Sequence, residues 1–106
     1  MTISENKYDE LEKIIYEEGL RIKAVHIHQD LNMMLFVLSN KKTIQRSLDY
    51  TEKLKNASPS ELKNYKLIAK GVGIHWPDLD EDLSLKGFLK EEVTQSIHDI
   101  RQSIGQ

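Results

Sequence analysis

The longest uninterrupted apolar run in the chain is Met33-Met34-Leu35-Phe36-Val37-Leu38, fenced by Asp30 to Asn32 on one side and by Ser39, Asn40 and Lys41 on the other. A short run bounded by turn formers reads as a strand. Upstream, Leu20 to Gln29 carries the β-branched residues Ile22, Val25 and Ile27, so the two segments predict a β-hairpin. Downstream, Lys42 to Leu48 alternates Thr43 and Gln45 against Ile44 and Arg46 and extends the meander as a third strand.

The remaining elements follow from caps and spacing. Asn6 or Ser4 is expected to cap a first helix, with Asp9 and Glu10 in its opening turn, Tyr8, Leu11, Ile14 and Ile15 on one face, and Gly19 at its end. Asp49 to Asn56 reads as a short helix with Tyr50 and Leu54 on one side. Ser58 then caps a helix of about two turns that begins at Pro59, whose fixed φ suits a first helical position. Tyr65 to Ala69 and Gly73 to Trp76 have strand character, with Gly71 and Gly73 marking a bend or close approach and Pro77 stopping the second strand. Finally, Leu89, Val93, Ile97, Ile100 and Ile104 form a narrow helical stripe that must be buried against the sheet, the first helix or another chain.

These elements predict a single α+β domain over 1–106. It comprises an N-terminal helix (1–19), a core (20–90) built on a three-stranded meander plus one or two short strands in a small antiparallel sheet, and a C-terminal amphipathic helix (91–106). With 39% hydrophobic and 30% charged residues, the chain can pack a core and is not a disordered tail. The absence of Cys excludes disulfides, thiolate zinc sites, iron–sulfur clusters and Cys nucleophiles. No apolar run approaches the roughly 18 residues needed to span a bilayer, and the opening segment is acidic throughout, so a cytoplasmic location is expected.

Net charge is −2, but residues 1–40 carry −3, 41–70 carry +5 and 71–106 carry −4. Lys41, Lys42, Arg46, Lys53, Lys55, Lys63, Lys66 and Lys70 thus form a candidate surface for an anionic partner such as nucleic acid, against the reading that they are scattered solubilising charges. His26 and His28, two apart, project from one strand face as a metal pair would, but a third ligand must come from His75, His98 or a distant acid. Asp78, Asp80 and Asp82 alternate like the start of a calcium loop, yet Leu83 stands where the turn needs Gly and Leu89 where a closing Glu belongs. His75 beside Trp76 and Asp78 offers a titratable group, but Ser84 has no nucleophile elbow and Gly71-x-Gly73 is no phosphate loop. No enzyme, metal or cofactor is expected, metal-dependent hydrolysis being the remaining catalytic alternative.

The run Gly71-Val72-Gly73-Ile74-His75-Trp76-Pro77-Asp78-Leu79-Asp80-Glu81-Asp82-Leu83-Ser84 resembles the hallmark of a small bacterial family, domain of unknown function 2442. Ser47 to Tyr50, Asn56-Ala57-Ser58-Pro59 and Lys63-Asn64-Tyr65 follow the family's order, extending the resemblance over about residues 21–90. The chain departs from it at Asn40-Lys41, where relatives often have Asp-Gly, and at Ser47, where they often have Pro. The resemblance implies a compact α+β domain without an established reaction, often paired with a small toxin-like protein and in some members described as an antitoxin. Relatives with a helix-turn-helix carry it after this core, where Lys90 to Gln106 leaves room for a single helix.

The expectation is therefore a non-enzymatic protein-binding module, antitoxin-like and acting by stoichiometric occupation of a small toxin-like partner. Its contact residues would be Leu89, Val93, Ile97, Ile100 and Ile104, together with Trp76 as apolar anchor and Asp78, Asp80 and Asp82 as a negative rim. For the single Trp76 of a chain this size, plugging the core is the reading favoured over the anchor role. Homo-oligomerisation is compatible with the stripe, a nucleic-acid accessory role through residues 41–70 is the alternative, and no membrane contact is expected.

Overall fold

Turn-forming residues interrupt this chain so often that among the described residues no strand exceeds seven residues, and six short strands assemble there as two sheets of three. The computed structural model describes residues 9–104. Strands β1 (Ile22–His28), β2 (Met33–Leu38) and β3 (Thr43–Ser47) form an antiparallel meander in that order. Its register sets Val25 opposite Phe36 and Phe36 opposite Ile44. Alternate residues Met34, Phe36 and Leu38 of β2 are buried, while Met33, Leu35 and Val37 on the other face are half-buried. An apolar run thus becomes a two-sided central strand.

The second sheet is β4 (Lys66–Ile68), β5 (Gly73–Trp76) and β6 (Glu81–Ser84), again antiparallel and sequential. Pro77 to Asp80 form a turn, and strand β6 follows it over residues for which the sequence predicts no strand. It is an edge strand whose Asp82 and Ser84 point to solvent, so its acids cost no burial. The C-terminal helix α4 (Leu85–Ile104) follows β6 directly, starting well before residue 91 because the Ser84 hydroxyl accepts the Gly87 N–H at 2.9 Å.

Local chemistry accounts for the smaller elements. Helix α1 (Glu10–Glu12) continues as a π-helical turn over Lys13–Glu17, and its cap is Asp9, not Asn6 or Ser4, which with Tyr8 lie outside the described residues. Asp9 accepts the Glu12 N–H at 2.8 Å and Glu12 returns the bond to the Asp9 N–H at 3.0 Å, a capping box that places Asp9 before the first turn. Gly19, at φ 83°, ends the helix as expected. The segment 49–56 splits into a 3₁₀ turn, Leu48–Tyr50, and helix α2 (Glu52–Lys55), because extended Thr51 caps α2 through the Leu54 N–H. Helix α3 (Pro59–Lys63) has the anticipated Ser58 cap and Pro at its start.

One core serves both sheets. Ile15, Ile22, Phe36, Ile44, Leu54, Leu62, Ile74, Trp76, Leu85 and Phe88 are among its buried members. The sheets meet where the Ile22 N–H donates to the Gly71 carbonyl at 2.8 Å, while the Leu85 N–H donates to the Val72 carbonyl at 2.9 Å and fastens the start of α4 to the entry of β5. At Gly71, φ is 116° and a Cβ would lie 2.2 Å from the Ile22 carbonyl oxygen, so only Gly fits. At the β2–β3 turn, by contrast, Lys41 takes φ 71°, a left-handed conformation that favours Gly, and the turn still closes through Lys41 N–H to the Leu38 carbonyl at 2.9 Å.

Two substitutions are expected to act in opposite directions. Gly71→Ala should destabilise the fold by about 3 kcal/mol or more, from steric overlap and a forbidden φ together. Lys41→Gly should stabilise it by up to roughly 1 kcal/mol, the relieved left-handed strain being partly offset by a looser unfolded chain. Urea unfolding of both variants reads the two signs.

Candidate functional site

The root of α4 is gripped from three sides. Phe88 is buried with its ring 4.7 Å from Phe36 and 5.9 Å from Tyr50, centroid to centroid. The Arg46 guanidinium lies 5.4 Å from the Phe88 centroid and 6.0 Å from that of Tyr50. From there Arg46 donates to Glu91 through Nε at 3.1 Å and Nη2 at 3.0 Å, while Nη2 also meets Glu92 at 2.9 Å. The Tyr50 hydroxyl donates to the other Glu91 oxygen at 2.7 Å. On the opposite side, Lys86 Nζ reaches Asp9 at 3.0 Å and Glu12 at 3.2 Å, tying α4 to α1.

These contacts move the ionisation of their members. Burial, followed by the hydrogen bond and charge of Glu91, pushes the Tyr50 phenol up to about 12. Burial works against the Arg46 charge, but Glu92 and Glu91 more than offset it and hold the guanidinium above its ordinary value. The Glu12 N–H and then Lys86 lower the Asp9 carboxyl, and Asp9 and then Glu12 raise Lys86.

Past Glu92 the helix runs out into solvent among the described residues. Residues 90–104 are all exposed, with Val93 at 48%, Ile97 at 46%, Ile100 at 58% and Ile104 at 77%. Of the three covers expected for the stripe, neither the sheet nor the first helix buries it beyond Leu89. Only its first member, Leu89, half-buried against the core, docks within the chain. Residues 93–104 project roughly 18 Å at the helical rise, carrying an apolar row with polar residues to either side.

The acidic motif lies elsewhere and is committed to the fold. Trp76 is fully buried, donates through Nε1 to the Leu62 carbonyl at 3.0 Å and packs 6.5 Å from the Tyr65 ring, so it presents no surface as a binding anchor. Asp78 accepts from Asn64 Nδ2 at 3.0 Å, and the Asp80 carbonyl accepts from Lys53 Nζ at 2.9 Å where Asp80 turns at φ 48°. Asp82 pairs across the β5–β6 ladder with Nδ1 of His75. These acids brace the turn against α2, α3 and β5 and do not join the α4 stripe in one surface.

Of the basic residues, Arg46 is taken up by Glu91 and Glu92, and Lys53 by Asp80. Lys41, Lys42, Lys55, Lys63, Lys66 and Lys70 are exposed. His26 and His28 share the solvent face of β1, and among the described residues no group of three or more His, Asp or Glu is placed to hold a metal ion. Among the same residues no helix is long and apolar enough to cross a membrane. Sequence reasoning missed the Arg46, Tyr50 and Glu91 grip, whose partners lie more than forty positions apart.

Comparison with known proteins agrees with this architecture. A family described as "Protein of unknown function (DUF2442)" matches residues 22–94, which spans both sheets and ends just past the gripped part of α4. No curated protein matches the chain. A crystal structure of a protein of unknown function from Rhodospirillum rubrum ATCC 11170 is similar at 26% identity and a TM-score of 0.60, covering 69% of this chain and 88% of that one. The solution structure of an uncharacterized protein, CV0863, from Chromobacterium violaceum is similar in fold, at 23% identity and a TM-score of 0.62, with 85% of each chain covered.

The raised Tyr50 phenol carries a sign that can be measured. The folded state holds this proton above the ordinary 10.0, so the contribution is intact below that pH and is lost as pH rises through about 12. Tyr50→Phe keeps the ring and has no phenol to ionise. Its stability in stepped-pH urea unfolding should fall less steeply across that window, and equal slopes for both proteins would refute the Tyr50–Glu91 assignment.

Proposed function

We propose that this chain, which belongs to the DUF2442 family, is a non-enzymatic protein-binding module, the antitoxin-like half of a two-component bacterial system that works by stoichiometric occupation of its partner. The single observation that carries the protein-binding reading is the unsupported row Val93, Ile97, Ile100 and Ile104 on a helix whose root is firmly held. An apolar face of this kind, bordered by polar residues, marks a contact for another macromolecule. The partner class, a small toxin-like protein, follows from the family resemblance. Leu89 supports the root, and Trp76, Asp78, Asp80 and Asp82 supply rigidity instead of contact surface.

Magnitude bounds the interaction. Burying the exposed half of each aliphatic side chain is worth roughly 1 kcal/mol. Four of them, at about 4 kcal/mol, barely match the freedom lost on association, so a tight partner must add polar contacts along the flanks of α4. Ile97→Asp combined with Ile100→Asp should abolish equimolar co-purification of a small toxin-like protein from the native host while leaving thermal unfolding unchanged. Retention of that protein by the double variant would overturn the reading.

A second reading rests on the exposed lysines of segment 41–70, which suit a nucleic-acid backbone. It predicts binding to duplex DNA or RNA that weakens steeply with salt and is lost when Lys63, Lys66 and Lys70 are changed together to Glu. Salt-insensitive or undetectable binding eliminates it.

A further inference from the structure

We propose that the free halves of α4 from two copies of the chain pair antiparallel, so that in the resting protein the apolar stripe is occupied by a second copy and a different partner must compete for it. The inference rests on the protein-binding reading of this face and names its occupant.

The spacing 4, 3, 4 of Val93, Ile97, Ile100 and Ile104 is that of a coiled-coil seam two repeats long. It is also self-complementary. A two-fold axis between His98 and Asp99 sets Val93 against the partner's Ile104 and Ile97 against the partner's Ile100, so each exposed side chain meets another of its kind.

Charge selects both the occupant and the direction. The positions bordering the seam are Thr94, Ser96, Arg101 and Ser103, three small hydroxyl residues and one cation. A strongly charged partner helix would find little to pair with there, whereas a second copy brings no opposing charge beyond Arg101, which faces a Thr in the antiparallel arrangement. Glu91 and Glu92 are already turned toward Arg46 of their own chain. One repeat before Ile97 stands Lys90. A parallel pair would press Lys90 against its own copy in the seam, while an antiparallel pair leaves it beyond the end of the opposing stripe and keeps the two bodies at opposite ends.

The seam is short, well below the roughly 800 Å² per partner of a standard stable interface. The dimer is therefore weak and concentration-dependent, as a face that must open to another protein requires.

Analytical ultracentrifugation of the full chain should show a monomer–dimer equilibrium between micromolar and near-millimolar concentration, and Ile97→Asp should stay monomeric throughout. The absence of native Cys permits a direct test of direction. Val93 and Ile104 are roughly 16 Å apart along one helix, whereas a disulfide needs Cα atoms within about 7 Å. On mixing, singly substituted Val93→Cys and Ile104→Cys chains should form the mixed disulfide in preference to either homodisulfide. A wild type monomeric at every concentration, a dimer that survives Ile97→Asp, or a predominance of homodisulfides each overturns the proposal. A monomeric wild type whose capture of a toxin-like protein is lost in Ile97→Asp would leave the protein-binding reading standing. A wild-type dimer that Ile97→Asp dissociates, in a variant that still captures that protein, would support self-pairing and overturn the stripe as the capture face.

Discussion

Both three-stranded sheets feed one buried cluster, and the structure depends on the point where they are joined. That point is the Ile22 N–H to Gly71 carbonyl bond, set where a side chain on residue 71 has no room. With β1 held against the β4–β5 turn, Ile22 and Phe36 from one sheet and Ile74 and Trp76 from the other enter a single cluster. Burial on this scale makes a domain of about a hundred residues independently stable. The segment from Gly73 to Ser84 serves the same end, since Trp76, Asp78 and Asp80 fasten β5, β6 and the intervening turn to α2 and α3.

Because α4 leaves β6 at Ser84 and Leu85, the joint also aims the helix. Phe88 reaches across to the meander and is covered there by Arg46, whose charge is held by Glu91 and Glu92 one turn further on. Buried ring, partly buried cation and exposed carboxylates thus form a graded path from the core to solvent. Everything on the helix beyond Glu92 is outside it.

Much of this organisation was legible in the residues because its causes are local. Six apolar residues between turn formers place β2, Ser58-Pro59 starts α3, and the aliphatic spacing announces a long helix. What stayed hidden depends on contacts between distant residues. Strand β6 reads as a turn because an edge strand can send Asp82 and Ser84 to water, and Thr51 divides 49–56 by preferring a cap to a helical interior. Arg46 looks like one more surface cation until Glu91 is brought to it, and Trp76 looks like an anchor until Leu62 offers its carbonyl. The stripe itself was visible, but periodicity shows which residues share a face and not which body covers it, so burial within the chain stood beside contact with another chain.

The outer turns of α4 have a property that follows from their exposure. Val, Ile, Thr, Ser and Asp dominate positions 93–104, and these are indifferent helix formers. Their helical state is sustained by propagation from the clamped root, without tertiary support of its own. Capture by any macromolecule therefore includes a stiffening step, so part of the contact energy is spent on ordering backbone. Affinity at this face then responds to helix propensity at positions on the far side of the helix from the stripe, such as His98 and Asp99, as much as to the aliphatic contacts themselves.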